Sequence, residues 1–293
     1  MIVMRIKGGL GNQLFQYAAA YALAKRLEQP LMFNPYFTKT MTARNIAFGN
    51  LNTDISDEID ENKLPLRVKM IRNHYVNKSF RILKIQKVNC GNFLYYLEPR
   101  DTFMPDFYSL NAENIYIDGY YQSEKYFSQY RKELVKQFTP KYKPENDYIR
   151  ALDTISKCTS VAVHIRRGDF KADNRLLHKD PHHYLLGANY YRSAIDHMRE
   201  RIKNLQFFFF SDDMEWVKDN FGAQKDFHFI KIKTSHGDID DLMLMKNCNH
   251  IITANSTFSW WAAWLNEHDD AIRIVPKKNF GNVDMIPDGW VKM

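Results

Sequence analysis

The second half of the chain alternates short apolar runs with segments whose apolar residues recur at helical spacing. The apolar runs predict strands at residues 160–166, 206–210, 227–232, 250–254 and 271–275. The helical spacing predicts helices at residues 190–202, 214–221, 240–246 and 256–266. Short strands joined by helices are typical of a parallel sheet with right-handed crossovers. This half therefore predicts a Rossmann-like α/β domain.

The first half opens with the same pattern and then becomes less regular. The predicted elements are a strand at 2–6, a glycine-rich turn at 7–13, a helix at 14–27, strands at 31–33 and 115–117, and a helix at 123–138. The middle of this half, about residues 38–105, is irregular and hard to assign to strands and helices. A polar stretch with two prolines at 139–146 marks the boundary, so we expect an amino-terminal α/β domain at 1–145 and a carboxyl-terminal Rossmann-like domain at 146–293.

Composition narrows the class of protein. A chain of 293 residues with 45% hydrophobic content can bury the cores of two domains. Three widely spaced cysteines, Cys90, Cys158 and Cys248, suit neither a disulfide framework nor a zinc site, which favours a reducing compartment. The sequence offers no signal peptide and no apolar run long enough to span a membrane. We expect a cytoplasmic protein.

Positive charge is concentrated in one segment. The net charge is +7, and residues 62–97 contain eight Lys or Arg and no acidic residue. Val68, Ile71, Tyr75 and Ile82 lie near helical spacing there, which predicts a basic amphipathic helix within residues 63–87. Two interpretations stay open: a solvated helix face packed on its own domain, or peripheral contact with an anionic membrane. Nucleic-acid binding is disfavoured, because no stacking aromatics are interleaved with the basic residues.

The predicted strand at 160–166 ends in charged and polar side chains. His164, Arg166, Arg167 and Asp169 follow or end a fully apolar run. Ligands of α/β sheets bind outside the carboxyl ends of the strands, and the planar guanidinium of arginine matches phosphate oxygens. The pattern therefore predicts a phosphate site, although a salt bridge between Arg167 and Asp169 without any ligand stays open.

Two further strand ends carry polar residues. Asp212 and Asp213 follow an apolar strand, where either carboxylate could cap the next helix or accept hydrogen bonds from a base such as guanine. Ser256 and Thr257 open the helix after the strand at 250–254, beside backbone N–H groups that favour an anion without a metal. The tryptophans of that helix fit either the core or a sugar platform; they are Trp260, Trp261 and Trp264.

The glycine-rich turn is a weaker signal. Residues 7–13 (KGGLGNQ) let backbone N–H groups approach a ligand at the start of a helix. A dinucleotide fingerprint would need glycine in place of Leu14 and an acidic residue after the next strand, which ends at Phe33 and Asn34. A dehydrogenase is therefore disfavoured, and a plain tight turn stays open.

Five motifs together resemble the bacterial-type α-1,2-fucosyltransferases of glycosyltransferase family 11. In chain order they are GGLGNQLFQY at 8–17, GYYQSEKYF at 119–127, HIRRGD at 164–169, FSDD at 210–213 and ANSTFSWW at 254–261. Their order and spacing span nearly the whole chain, with the weakest coverage in the basic middle segment. The resemblance implies a GT-B fold, in which two Rossmann-like domains face a central cleft.

The resemblance also implies the substrates and the site. The donor would be GDP-β-L-fucose without a metal or other cofactor, and the acceptor a galactose-terminated oligosaccharide or a lipid-linked glycan, reached at the inner membrane face. His164 and Asp212 would recognise guanine, and Arg166 would bind the β-phosphate. Arg167 would be a structural partner. The remaining donor contacts would be Asn12, facing the transferred sugar, and Ser256, Thr257 and Phe258, lining the pyrophosphate pocket.

The implied reaction is a single displacement at fucose C1 with inversion. Arg166 would absorb the charge that develops on the β-phosphate, and Asp169 would be the general base, with Glu124 and Asp213 as further candidates. Three alternatives stay open: an α-1,3 linkage, another nucleotide-sugar transferase of the same fold, and a non-catalytic glycan-binding protein.

Overall fold

The computed structural model describes residues 1–36, 46–55, 57–98, 102–168, 184–277 and 283–293. The chain divides into two compact units, Met1–Lys141 and Tyr142–Met293. Within the described ranges, each unit holds one six-stranded sheet. The second unit begins inside the polar stretch at 139–146.

The amino-terminal unit is built on a mostly parallel sheet of order β3-β2-β1-β6-β5-β4, in which only β4 runs antiparallel to its neighbour. Its strands are β1 Ile2–Arg5, β2 Leu31–Asn34, β3 Asp57–Glu58, β4 Lys87–Asn89, β5 Leu94–Leu97 and β6 Ile115–Asp118. Its helices are α1 Leu10–Leu27, α2 Leu66–Ile71, α3 His74–Ile82 and α4 Arg131–Gln137. The strand order reverses at β1, between β2 and β6, which is where sheets of this kind bind ligands.

Helix α1 begins four residues earlier than the sequence predicts. The turn is confined to Gly8 and Gly9, and the backbone of Gly9 is extended where it precedes the helix. Asn12 and Gln13 therefore lie in the first helical turn, and the side chains of residues 13–24 are buried. The helix carries few charged groups because nearly all of its surface packs against the unit.

The predicted helix at 123–138 is wrong over its first half. Two short 3₁₀ turns, Glu124–Tyr126 and Ser128–Tyr130, precede α4. Phe127 separates them with φ −150° and ψ 1°, which is outside the helical region. Its buried ring packs 6.0 Å from that of Phe15, so tertiary packing overrides the local helical pattern.

The single amphipathic helix predicted within residues 63–87 is also wrong. The segment forms α2 and α3, separated by a turn at Arg72 and Asn73. Val68 and Ile71 belong to the buried core, whereas Tyr75 and Ile82 are exposed. The four apolar residues therefore do not share one face.

The carboxyl-terminal unit confirms the predicted Rossmann-like architecture. Its sheet has the order β12-β11-β10-β7-β8-β9, with every described pairing parallel. Its strands are β7 Thr159–Ile165, β8 Leu205–Ser211, β9 Phe227–Phe229, β10 His250–Ile252, β11 Arg273–Val275 and β12 Val291–Lys292. Its helices are α5 Asn146–Ser156, α6 Ala188–Arg201, α7 Met214–Phe221, α8 Gly237–Lys246 and α9 Thr257–Leu265.

Strand register brings three predicted strand ends to one edge of this sheet. Ile165 pairs with Ser211, and Val163 pairs with Ile252, so β7, β8 and β10 end at nearly the same level. The three tryptophans of α9 are buried, which settles the choice between core and sugar platform in favour of core. The edge therefore presents polar side chains above an apolar interior.

Candidate active site

Side chains from the ends of β7, β8 and β10 form the first candidate site, which lies wholly in the carboxyl-terminal unit. We call this group the strand-end cluster; its members are His164, Arg166, Asp212, Ser256, Thr257 and Phe258. The guanidinium Nε of Arg166 lies 3.5 Å from Asp212 Oδ2, and the ring of His164 lies 5.5 Å from that of Phe258. The fold thus brings to one sheet edge six residues that the sequence predicts from three separate motifs.

Asp212 is held in place by the chain that follows β7. Its Oδ1 accepts a hydrogen bond from the backbone N–H of Arg167 at 2.7 Å. A Cβ on Gly168 would come within 3.0 Å of Asp212 Oδ2 and would crowd the carboxylate. The Asp212 side chain is still one-third exposed, so its carboxylate can also accept from a ligand.

Arg167 and Asp213 have protein partners instead. The guanidinium of Arg167 lies over the Trp216 ring, 4.0 Å from its centroid, and its Nε is 3.5 Å from Asp213 Oδ2. Asp213 also caps α7 by accepting the N–H of Trp216 at 3.2 Å. Of the two aspartates, Asp213 is therefore the cap. Asp169 lies outside the described residues, so its predicted contact and role stay predictions.

His164 is a buried, neutral imidazole. Burial and the nearby positive charge of Arg166 lower its pKa to about 3. Its Nδ1 has no hydrogen-bond partner in the described parts of the chain. Buried polar atoms nearly always have a partner in folded proteins, and an unsatisfied one costs about 1–3 kcal/mol. A polar ligand that contacts His164 would remove this cost.

Two more unsatisfied polar atoms follow the end of β10, and the sequence motifs assigned no role to their side chains. Thr253 Oγ1 and Asn255 Oδ1 are buried and lack partners within the described ranges. The amide Nδ2 of Asn255 donates to the carbonyl of Tyr184 at 2.7 Å, which fixes the direction of its oxygen. The sequence feature that could have located them is their position between β10 and the hydroxyl-rich start of α9.

Ser256 forms the amino-terminal cap of α9. Its hydroxyl accepts the N–H of Phe258 at 3.3 Å, and the hydroxyl of Ser259 accepts the N–H of Ala254 at 3.2 Å. Thr257 and Phe258 are half-buried at the first turn. The Ser256 hydroxyl can still donate its hydrogen, and the positive end of the helix dipole favours a negative ligand here.

An open pocket of about 620 Å³ lies beside α6, and its described lining residues include no member of the strand-end cluster. It is lined by apolar and aromatic side chains, including Tyr184 and Tyr190, and by Lys277 and Lys292. The hydroxyl of Tyr190 donates to the carbonyl of Thr253 at 2.9 Å, which ties the cavity wall to the end of β10. The pocket is therefore open to solvent and is joined to the end of β10 through Tyr190.

The glycine turn forms a second candidate site, which lies in the amino-terminal unit. Asn12 Oδ1 accepts a hydrogen bond from Gln122 Nε2 at 2.9 Å, which joins two of the sequence motifs. Gly8 has φ +81°, and a Cβ there would come within 2.6 Å of Asn12 Nδ2. Glycine is therefore required at position 8 for Asn12 to keep its place.

A buried ion network supports this turn, and the sequence did not predict it. Asp118, at the end of β6, accepts from Arg5 at 2.6 Å and from Lys7 Nζ at 3.0 Å. Asn77 Nδ2 and the Tyr95 hydroxyl donate to the same carboxylate at 2.8 and 2.6 Å. Burial alone would raise the pKa of Asp118, but Arg5 and Lys7 hold it well below its usual range.

The carboxylate of Glu98 supports the backbone of the motif at 119–127. Its buried Oε2 accepts the backbone N–H groups of Tyr120 and Tyr121 at 2.6 and 2.9 Å. Tyr121 has φ +53°, an unfavourable value for a tyrosine, which these bonds help to maintain. The carboxylate therefore shapes the loop that carries Gln122 to Asn12.

Two further kinds of feature are absent from the described residues: groups of metal ligands and membrane-spanning helices. There, no three His, Cys, Asp or Glu side chains come together as a metal site. No described helix is both long enough and apolar enough to cross a bilayer.

The profile of glycosyl transferase family 11 matches residues 1–286. The chain belongs to this family. As a family 11 glycosyltransferase it acts on an activated sugar, and the resemblance seen in the motifs is confirmed.

Curated relatives resemble this family 11 chain over nine-tenths or more of its length. An α-1,2-colitosyltransferase of Escherichia coli is 32% identical, with 100% of this chain and 99% of the relative covered. The O-antigen biosynthesis glycosyltransferase WbnK, also of Escherichia coli, is 27% identical, with 98% and 99% covered. A mouse galactoside 2-α-L-fucosyltransferase is 27% identical over 92% of this chain and 65% of its own.

Solved structures resemble the family 11 chain in fold. The α-1,6-fucosyltransferase NodZ soaked with GDP-fucose has a TM-score of 0.52 at 15% identity, with 90% of this chain and 92% of that chain covered. A selenomethionine form of NodZ from Bradyrhizobium gives the same TM-score and identity. The likeness confirms the predicted GT-B type of fold.

Proposed function

We propose that this enzyme transfers L-fucose from GDP-β-L-fucose to the 2-hydroxyl of a terminal galactose. The observation that carries the proposal is the strand-end cluster, where Arg166, Asp212 and the unsatisfied Nδ1 of His164 meet at one sheet edge. The mouse relative is a galactoside 2-α-L-fucosyltransferase, which supports the same transferred sugar and the same linkage.

The chemistry of the cluster suits a guanosine diphosphate. The Asp212 carboxylate can accept from the N1–H and 2-amino group of guanine, and neutral His164 can exchange one hydrogen bond with the base. Arg166 supplies the cation for a phosphate, and the cap of α9 adds hydroxyl and N–H donors. These groups can hold a diphosphate without a divalent cation, so we propose that no metal or other cofactor takes part.

Transfer would proceed by a single displacement at the anomeric carbon. The galactose oxygen forms a bond to fucose C1 as the bond from C1 to the β-phosphate oxygen breaks, and GDP leaves with that electron pair. Arg166 stabilises the negative charge that grows on the β-phosphate, which is an interaction stronger in the transition state than in the ground state.

A base or a water molecule must accept the proton of the galactose hydroxyl as it attacks. Asp213 is a poor candidate, because its carboxylate caps α7 and lies beside Arg167. Asp169 remains the proposed base, since it follows Arg166 by three residues in the phosphate-binding motif. Glu124 is the remaining candidate, half-buried beside the loop that carries Gln122. Asn12, at the glycine turn, is proposed to face the transferred sugar.

Transfer of colitose is a second candidate, favoured by the colitosyltransferase that is 32% identical over the whole chain. Colitose is L-fucose without the 3-hydroxyl group, so both donors present the same diphosphate and the same reacting carbon. A site that hydrogen-bonds a sugar hydroxyl rejects the analogue that lacks it far more strongly than an apolar pocket rejects an added hydroxyl. Direct competition between the two donors therefore distinguishes the candidates.

The experiment is a donor panel with defined acceptors. The purified enzyme is given GDP-fucose, GDP-colitose, GDP-mannose or UDP-galactose, with lactose or N-acetyllactosamine as acceptor, and the product linkage is read by NMR. We expect GDP-fucose to give the highest kcat/KM and an α-1,2 bond to galactose. A preference for GDP-colitose would support the second candidate, and a preference for UDP-galactose or an α-1,3 product would refute the proposal.

A further inference from the structure

The outer sides of α2 and α3, with the turns just before α2 and just after α3, form an exposed surface that is both apolar and positively charged. Of the eight large apolar side chains that are exposed in the described ranges, five lie between residues 66 and 83. We call this surface the basic apolar face; its members are Lys63, Leu66, Arg67, Met70, Tyr75, Lys78, Ile82, Leu83 and Lys84. Single exposed apolar residues are common, but a cluster of five indicates an interaction surface.

The spacing of the apolar and basic residues along α2 and α3 places them on the outer sides of these helices. Leu66 and Met70 are four residues apart on α2, and 72% and 55% of their surfaces are exposed. On α3, Tyr75, Lys78 and Ile82 follow the spacing i, i+3, i+7 and therefore lie on one side of the helix. Tyr75 is 78% exposed and Ile82 is 70% exposed. Apolar and basic side chains alternate along the same outer sides.

The inner sides of the two helices are fixed to the amino-terminal unit. Val68 and Ile71 on α2 lie in its core. On α3, Asn77 donates to the buried carboxylate of Asp118, and Arg81 donates to the carbonyl of Glu98 at 2.6 Å. The basic apolar face is therefore a rigid part of the unit, joined to the residues that support the glycine turn.

The charge of the face selects the kind of partner. No acidic residue occurs between residues 62 and 97, and no carboxylate of the described ranges pairs with Lys63, Lys78 or Lys84. A second copy of the chain would oppose these lysines with the same positive charges in a two-fold interface, which is unfavourable. The partner must therefore be anionic, and it must also accept exposed apolar side chains.

We propose that the basic apolar face docks this enzyme on an anionic lipid bilayer. The apolar side chains would enter the boundary between headgroups and acyl chains, and the lysines would bind lipid phosphates. Tyr75 suits the headgroup level, where aromatic side chains are enriched. Docking would hold the amino-terminal unit at the bilayer, where it could reach a lipid-linked acceptor. The docking itself does not depend on which sugar the enzyme transfers.

The test measures partitioning of the full chain onto vesicles by co-sedimentation. The vesicles contain phosphatidylcholine alone or phosphatidylcholine mixed with phosphatidylglycerol. Replacing three lysines of the face by glutamine should weaken binding to the mixed vesicles by about a hundredfold, because each contributes about fivefold near an anionic surface. The variant carries Lys63→Gln, Lys78→Gln and Lys84→Gln. The matched control removes the same charge from exposed lysines elsewhere, with Lys132→Gln, Lys203→Gln and Lys225→Gln.

A second pair of variants tests the apolar contribution. Ile82→Ser on the face should weaken partitioning by about tenfold, whereas Ile149→Ser, at an exposed position of α5, should leave it unchanged. All the replaced side chains are exposed, so thermal unfolding should match that of the wild type. Transfer to soluble lactose is measured in parallel and should also be unchanged, which separates docking from the proposed function.

Two results would overturn the proposal. One is partitioning of the wild type that does not increase with phosphatidylglycerol. The other is equal partitioning of the face variants and their controls. That result would also be expected if the face binds an acidic protein and no lipid.

Discussion

Arg166 is the side chain on which the proposed chemistry depends most. Its guanidinium lies 3.5 Å from Asp212 and projects from the end of the central strand β7. Lysine would keep the positive charge but lose the planar fork that binds two phosphate oxygens at once. We therefore expect Arg166→Lys to lower kcat for fucosyl transfer by at least about tenfold.

The matched control is Arg192→Lys, at an exposed arginine of α6 that donates to the carbonyl of Asn220. This variant should keep the wild-type kcat, and thermal unfolding of both variants should show an intact fold. Near-normal turnover by Arg166→Lys would remove Arg166 from the mechanism.

His164 should make the stability of the enzyme sensitive to acid. Its pKa is about 3 in the folded chain and 6.5 when unperturbed, so the unfolded chain binds more protons between these values. The free energy of unfolding therefore falls as the pH falls through this window, by about 2 kcal/mol between pH 7 and pH 5 from this group alone. Burial also lowers the pKa of His250, so this histidine should make the free energy of unfolding fall further as the pH falls.

Urea unfolding of His164→Asn and wild type at pH 7 and pH 5 measures this contribution. The variant should lose less stability on acidification than the wild type does. His74→Asn, at an exposed position, is the control and should follow the wild type. An identical loss in wild type and His164→Asn would show that the imidazole titrates normally.

At the residue scale, the sequence located the strand-end side chains but not their partners. An apolar run that ends in charged residues predicts a strand end, so His164, Arg166 and Asp212 could be found from local pattern alone. The contact between Arg166 and Asp212 joins residues from different strands and follows from register. The unsatisfied oxygens of Thr253 and Asn255 depend on three-dimensional burial, which no local pattern contains.

At the element scale, Asp118 holds the ends of three neighbouring strands together. It accepts from Arg5 of β1 and from Tyr95 of β5, and it also receives Lys7 from the glycine turn. Asp118→Asn would leave two buried cations without a counter-charge, which typically costs about 3–5 kcal/mol. Equilibrium urea unfolding should show this loss.

Asp106→Asn provides the comparison. Asp106 forms a 3.2 Å ion pair with Lys87 in which both side chains are about one-third or more exposed, and an asparagine oxygen there can still accept from the Tyr96 hydroxyl at 3.0 Å. Pairs of this kind contribute about 0–1 kcal/mol, so this variant should remain close to wild type. Equal destabilisation by the two substitutions would contradict the account of the buried network.

Element boundaries were predicted well where packing agrees with local propensity. Helix α7, Met214–Phe221, has the predicted bounds, because Asp213 caps it and Gly222 ends it. The helix expected at 123–138 failed, since the burial of Phe127 requires a non-helical backbone. The single amphipathic helix expected within 63–87 was wrong for a related reason. The chain turns at Arg72, whose buried guanidinium lies 2.6 Å from the carboxylate of Glu61, and α3 begins only after this turn.

At the scale of the whole molecule, two Rossmann-like units were predictable because alternating strands and helices leave few other topologies. The network around Asp118 was not, because its partners are far apart along the chain. Arg5 and Asp118 are separated by 113 positions, and only the parallel pairing of β1 with β6 brings them together.

Catalysis by the intact enzyme should not require a divalent cation. The proposed site neutralises the diphosphate with Arg166 and the start of α9, so transfer should be undiminished in EDTA. The measurement compares initial rates in EDTA with rates after addition of Mg²⁺ or Mn²⁺. A strict requirement for either ion would instead indicate that Asp212 and Asp213 are metal ligands.

The most direct test of the account is a crystal structure of the enzyme with GDP bound. We predict density for the diphosphate in contact with the guanidinium of Arg166 and the hydroxyl of Ser256, and for guanine beside His164 and Asp212. Density for GDP at any position that leaves Arg166 and Ser256 without contact to it would contradict the account.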